Sequence, residues 1–322
     1  MEDFIFSINC TMPVFLLMVL GWLLFRGKML TQDFVNVCNR FVFKVTLPVM
    51  LFRDMATMDL RSQFDVKFVL FCAAAATLGV LGAWILGRLF LKDRSIVAEF
   101  VQGSYRGSIA VLGGAFLQNI YPGDEAAAVV AQALIGCVIL FNVFGVIILV
   151  LERPDAPADR SELARHMKKA FGQIVTNPLI IAIVLGAVSS LLRIDYPVII
   201  DKTMSNLASL TSPLALLAIG AEFKWGKMRS NLWPTMGACL YKLVLQPAMF
   251  LPVAVLLGWR NEWLVTLMIM MGAPTTPSSF IMARNMGHEG AVTANIIAGT
   301  TLFSAVTVTM WLFIGRTLGL LV

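Results

Sequence analysis

The sequence predicts an all-α polytopic membrane protein with ten transmembrane helices arranged as two inverted five-helix repeats, and three observations predict it. The first is composition: 58% of the residues are hydrophobic and 14% charged, with a mean hydropathy of +0.82. A soluble domain carries about 25% charge. The second is that apolar stretches recur from end to end, each near the ~20 residues of helix that cross ~30 Å of hydrocarbon. Runs such as Ile135–Leu151 are too long and unalternating for barrel strands, which leaves helices to satisfy every backbone group in lipid. The third is an internal register of 165 residues that aligns the two halves.

In order, spans are expected at 5–25, 33–53, 66–90, 95–120, 123–151, 172–192, 197–221, 232–258, 261–286 and 290–318. Glu2 and Asp3 precede the first with no basic segment before it, so it reads as a retained helix and not a cleaved signal. The second carries Lys44 near one end, placed to snorkel, and Pro48 mid-span; the seventh carries Pro213 mid-span. Both prolines are expected to kink helices of a scaffold-like bundle. Gln132 and Asn142 in the fifth span and Asn295 in the tenth read either as site-facing groups or as interhelical hydrogen bonds worth ~0.6 kcal/mol. Lys242 and Gln246 lie one turn apart in the eighth. The longest polar interval, Glu152–Lys169, holds Pro154 and Pro157 and divides the chain into a first repeat (1–151), a linker (152–171) and a second repeat (172–322).

A formal charge of +6 is modest, and the basic residues fall in short loops, so the charge sets topology and nucleic-acid binding is a poor reading. With the N-terminus outside, fourteen Lys and Arg fall in cytoplasmic loops and seven on the opposite side. The positive-inside rule then places both termini outside and the linker in the cytoplasm. Cys10, Cys38, Cys72, Cys137 and Cys239 lie in or beside apolar segments without a Cys-x-x-Cys pair, and read as small core residues.

The register lays Pro13–Gly21 over Pro178–Gly186 and carries Thr46 to Thr211, Pro48 to Pro213, Gly107 to Gly272 and Ala126 to Ala291. Proline and glycine punctuate helices, so their shared register is more telling than identities among apolar residues. Five spans per half make the second half enter from the opposite side. Inverted repeats are the signature of secondary transporters, whose halves exchange conformations around a midplane site.

Two spans are too polar and too rich in Gly and Pro for plain helices: Glu99–Gly114 in the fourth, and Met271–Phe280 in the ninth. Pro274 and Pro277 each remove a backbone donor, and Gly113 and Gly114 permit unwound backbone at the equivalent place. Broken helices at membrane depth line protein or a wet cavity. Two half-helix N-termini, each near +0.5 of charge, are expected to converge there on an anion. Ser108, Thr275, Thr276, Ser278 and Ser279 add neutral donors, and Arg106 adds a guanidinium suited to a carboxylate. Arg106 reads alternatively as the structural partner of Glu99, seven residues earlier on the same helix face. No phosphate loop, His-Glu-x-x-His or mid-span His or Asp pair occurs, so ATP drive, intramembrane catalysis and a resident metal or cofactor are not expected.

Asn39–Pro48, Ser104–Gly114 and above all Ala273–Ala283 give the chain its likeness to a known family. It resembles a bacterial member of the auxin efflux carriers, relatives of the plant PIN carriers, over essentially its whole length. The resemblance implies a ten-helix fold shared with bile-acid symporters and sodium/proton antiporters, with scaffold and transport domains drawn from both repeats and crossed fourth and ninth helices. It implies transport of organic acids, including dicarboxylates such as malonate or malate, with H⁺ or Na⁺ as candidate coupling ion. Ser108 stands where the family often has Asn, and Gly113 where it often has Pro. A sodium-coupled bile-acid-type symporter and a non-transporting sensor or scaffold are the alternatives, and homodimerisation through the scaffold is open by analogy.

Overall fold

The computed structural model describes residues 2–57, 65–109, 117, 120–121, 124–152, 172, 176–222 and 231–321. Among them the regular elements are all helical. The predicted residues Gly113 and Gly114, and the linker beyond Glu152, lie outside the described residues.

Helix α1 (Glu2–Arg26) ends on a basic residue. The Thr31 hydroxyl then accepts from the Phe34 N–H at 3.2 Å and starts α2 (Gln32–Phe41). This helix passes through a π turn at Val42–Thr46 into α3 (Leu47–Ala56). Asp65 caps α4 (Val66–Phe90), accepting from the N–H groups of Lys67 and Phe68. Next come the short α5 (Val97–Tyr105) and the long apolar α6 (Asp124–Leu151). Asn177 and a first-turn proline start α7 (Pro178–Leu192). α8 (Val198–Ser209) and α9 (Thr211–Glu222) are separated by Leu210 alone, and α10 (Leu232–Leu240) passes through a second π turn, Tyr241–Leu245, into α11 (Gln246–Leu256). The last three are α12 (Asn261–Gly272), α13 (Ser278–Asn285) and α14 (Ala291–Thr317).

Among the described residues, six helical stretches are long and apolar enough to cross a membrane: Gln32–Ala56, Val66–Phe90, Ala128–Leu151, Val198–Glu222, Leu232–Leu256 and Ala291–Thr317. Phe15–Arg26 and Pro178–Leu192 are shorter apolar helices. Large apolar side chains such as Leu70, Leu78, Ile85 and Leu89 on α4 are exposed, as lipid-facing residues would be.

The prolines are handled locally. Pro48 cannot donate to the carbonyl four residues back, and the π turn before it lets the Leu47 N–H bond five residues back to Val42. Pro247 follows the second π turn in the same way, with the Gln246 N–H bonded to Tyr241. Pro213 lies mid-span within Val198–Glu222, as expected, and the span is interrupted three residues earlier at Leu210, so the proline falls in the first turn of α9, where a missing N–H is tolerated.

Helix α1 packs on α9, and α3 packs on α7. Gly21 lies against the Leu217 carbonyl and Gly186 against the Phe52 carbonyl, so close that a Cβ at either glycine would overlap the oxygen. These two contacts are related by the same 165-residue offset as the sequence repeat. At one end of the bundle the Arg284 guanidinium on α13 meets Glu222 on α9 at 2.9 Å, and Asn285 donates to the Asn39 carbonyl at 3.1 Å. At the other end Arg53 meets Asp201 at 3.1 Å.

Candidate substrate site at two broken helices

Two helices stop in the interior at the same place. α5 ends at Tyr105, Arg106 is extended (ψ 104°), and helix resumes at Ile109. α12 ends at Gly272, and α13 begins at Ser278. The two breaks pair as a single antiparallel bridge between Gly107 and Thr275. The Ser108 N–H donates to the Pro274 carbonyl at 3.0 Å and the Thr276 N–H to the Arg106 carbonyl at 3.4 Å. Backbone groups freed by the breaks are thus used across the crossing. Side chains complete the pattern: the Thr275 hydroxyl donates to the Gly103 carbonyl at 2.6 Å, and the Thr275 N–H to the Thr300 hydroxyl at 3.1 Å.

Beside the crossing lies a cavity of about 60 Å³, large enough to admit water. Arg106, Gly107, Ser108 and Ile109 from the first break form one wall with Thr276, Pro277 and Ser278 from the second and Val138, Phe141 and Asn142 from α6. Met50, Leu51 and Asp54 of α3, with Thr211, Ser212 and Ala215 of α9, face them. Arg106 is buried, and its guanidinium donates to Asn142 Oδ1 and to the Met282 sulfur. Asn142 is held in turn by its own amide N–H on the Val138 carbonyl at 2.8 Å. The Thr276 and Ser278 hydroxyls bond to one another.

Of the residues singled out in the sequence, Arg106, Gly107, Ser108, Thr276, Pro277, Ser278 and Asn142 come together at this cavity. Pro274 and Thr275 serve the bridge instead, and Ser279 is buried with an unbonded hydroxyl away from the cavity wall. Gln132 accepts from the Asp65 N–H at 2.9 Å, and Asn295 is buried on α14; neither lines the cavity. Pro48 and Pro213 also lie outside its lining.

Glu99 does not pair with Arg106. Its carboxylate accepts from the Gly290 N–H at 2.8 Å, the Thr293 N–H at 3.0 Å and the Thr293 hydroxyl at 3.3 Å, capping α14 from a distant helix. The seven-residue spacing assumed a continuous helix, and the helix ends one residue before Arg106. Asp54, Thr211 and Ser212 were not singled out as site residues. Thr211 carried a signal, since the repeat register marks it opposite Thr46, whereas Asp54, next to Arg53 at the expected end of the second span, carried none.

A second, open cavity of about 710 Å³ lies at the Arg53–Asp201 end, lined by Arg53, Arg193 and Lys202 against Asp195 and Asp201.

Broken helices bonded through their unwound backbone, among apolar helices long enough to span a membrane, are a recurrent feature of transporter binding sites. A family model described as "Membrane transport protein" matches residues 6–312. The chain belongs to that family, the auxin efflux carriers. It is a membrane transporter and not an enzyme. "Uncharacterized transporter YfdV" of Escherichia coli K12 is 24% identical over 316 residues, covering 97% of this chain and 98% of the relative. The "Putative malonate transporter" of Rhizobium meliloti is 25% identical over 310 residues, covering 95% and 94%. "Uncharacterized transporter MJ1031" of Methanocaldococcus jannaschii is 21% identical over 305 residues, covering 92% and 95%.

Proposed function

We propose that this carrier moves small organic anions, mono- or dicarboxylates, by alternating access as a secondary transporter or uniporter. The observation that carries the reading is Arg106, a buried guanidinium at the wall of the crossing cavity with no carboxylate partner among the described residues. A buried charge is unfavourable unless something anionic pairs with it, and Asp54, which lines the same cavity, forms no ion pair with it. The guanidinium fork matches a carboxylate, and the hydroxyls of Ser108, Thr276 and Ser278 stand around it. The N-terminus of α13 begins at Ser278, adding partial positive charge on the same side.

The ten-span inverted repeat underlies the cycle. Its support beyond the sequence is the pair of contacts, Gly21 with Leu217 and Gly186 with Phe52, that the 165-residue offset interchanges. In this reading α3 and α9 belong to the scaffold, while the breaks and α6 belong to the moving unit. The cavity lies where those two surfaces meet. With both termini outside an inner membrane, the Arg284–Glu222 pair closes the cytoplasmic end. The cavity with three cations and two carboxylates opens outside and gathers anions.

Counterflow in proteoliposomes tests this, with unlabelled malonate, malate, lactate or indole acetate inside and the labelled acid outside. Accumulation of at least one acid, lost in Arg106→Ala, is expected. Folded protein that gives no counterflow with any acid, or an Arg106→Ala variant that transports normally, overturns the reading. Counterflow needs no ion gradient, so gradient-driven uptake decides separately between H⁺ and Na⁺ as the driving ion.

A further inference from the structure

Lys242 lies in the second π turn, is 0% exposed, and has no carboxylate partner among the described residues. Its Nζ reaches the Tyr105 carbonyl at 3.1 Å, the Met270 carbonyl at 3.4 Å and Gln246 Oε1 at 3.5 Å. Three acceptors match the three donors of an ammonium, which itself has no acceptor.

The identity of the two carbonyls is what gives the contact meaning. Tyr105 is the last residue of α5, and Met270 lies in the last turn of α12. Both carbonyls have lost their helical donor. The chain turns extended at Arg106, which takes the Ile109 N–H out of reach of Tyr105, and Pro274 has no N–H to give to Met270. The two residues are also 165 apart, so the repeat register makes them equivalent. One ammonium thus bridges equivalent C-terminal ends of the two half-helices, each bearing about −0.5 of charge. Gly107 makes room, since a Cβ there would stand 2.9 Å from Nζ and 2.5 Å from the Met270 oxygen. The register gives Lys242 a threonine counterpart, Thr77, so only one repeat supplies the charge.

In transporters with broken helices, unwound carbonyls and half-helix C-termini are where a coupling cation binds. The geometry points to Lys242 as a tethered cation that occupies this position permanently, so that the crossing needs no sodium ion. The inference rests on the carrier reading above and narrows its energetics: substrate moves without sodium, and removal of the ammonium creates a site for a small monovalent cation.

The test uses the full chain in detergent and in proteoliposomes, with sodium, methylammonium or choline as the sole cation. Thermal unfolding without substrate is read first, so it is independent of which acid the carrier takes. Wild type is expected to unfold at the same temperature in all three salts, and Lys242→Ala at a lower temperature in choline. Sodium or methylammonium should raise the Lys242→Ala midpoint, because the vacated space and carbonyls accept a small cation. Lys242→Met, which fills the space without charge, should show no such rise. In counterflow with an acid that wild type carries, Lys242→Ala should fall by about tenfold or more in choline, one unpaired buried contact being worth that factor. The same two cations should restore it in part. Specific sodium stabilisation or sodium-dependent counterflow of wild type overturns the inference. So does a Lys242→Ala protein as stable as wild type in choline, or one that methylammonium and sodium both fail to fold. Absence of counterflow in wild type with intact cation-dependent stability of Lys242→Ala would strike the carboxylate reading and leave this one standing.

Discussion

Replacing Glu99 separates a structural carboxylate from a ligand-binding one. Gly290, the residue that precedes helix α14, is in the left-handed region at φ 78° and offers the helix no side-chain cap. The helix's first N–H groups depend on Glu99, 191 residues away at Gly290 and 194 at Thr293. Glu99→Ala would leave two buried N–H groups without acceptors at about 1–3 kcal/mol each, and would remove a negative charge worth up to ~2 kcal/mol at a helix N-terminus. These contributions overlap, so a loss of about 3–6 kcal/mol is expected. Glu99→Gln keeps one oxygen for Gly290 but turns an NH₂ towards the Thr293 N–H, for a loss of about 2–3 kcal/mol. Exposure is 1%, so solvent screening gives no relief. Denaturant titration of both variants in detergent measures the loss, with counterflow followed on the same preparations. A Glu99→Gln protein within ~0.5 kcal/mol of wild type would refute the capping argument. If that protein also bound substrate poorly, Glu99 would be assigned to the site and to Arg106 after all.

Asn142→Leu removes the acceptor that orients the Arg106 guanidinium; at about 1.5–3 kcal/mol for a hydrogen bond to a charge, substrate affinity should fall roughly 10- to 100-fold. Substrate-concentration dependence of counterflow checks this, and unchanged affinity would mean that Asn142 merely fills space. Gly107→Ala places a methyl group 2.5 Å from the Met270 carbonyl oxygen, and should lower stability by about 1–3 kcal/mol while abolishing counterflow. A fully active Gly107→Ala carrier would show that the crossing is not as tight as described. Glu222→Arg breaks the end-closing pair with Arg284, a half-buried contact worth ~1 kcal/mol. Modification of an engineered cysteine, T276C, by a membrane-impermeant reagent from the linker side should accelerate, and the charge swap with Arg284→Glu should restore the slow rate; an indifferent swap would deny the pair a closing role.

The sequence by itself determined the class of protein and the places where helices must fail. Spanning apolar stretches need no tertiary contact to be recognised, because the bilayer sets their length and composition. Pro274 and Pro277 announce a broken helix for equally local reasons, and Arg106 announces itself as a charge in an apolar setting; in the fourth span the sequence pointed to Gly113 and Gly114, whereas a break falls at residues 106–108. Tertiary structure decided the partners. Glu99 and Arg106 share a helix face only while the helix is continuous; once it breaks at Arg106, the carboxylate caps α14 and the guanidinium turns to Asn142 on α6. Lys242 and Gln246 were visible as a polar pair one turn apart. Which orphaned carbonyls the ammonium holds depends on how α5 and α12 approach a π turn on a third helix. Asp54 lies on α3, and nothing in its own neighbourhood of the chain distinguishes it from an end-of-helix charge. It enters the cavity only because α3 packs opposite the breaks. Backbone breaks follow from the chemistry of single residues, whereas hydrogen-bond partners across 36 to 194 residues follow from packing, which no local pattern encodes.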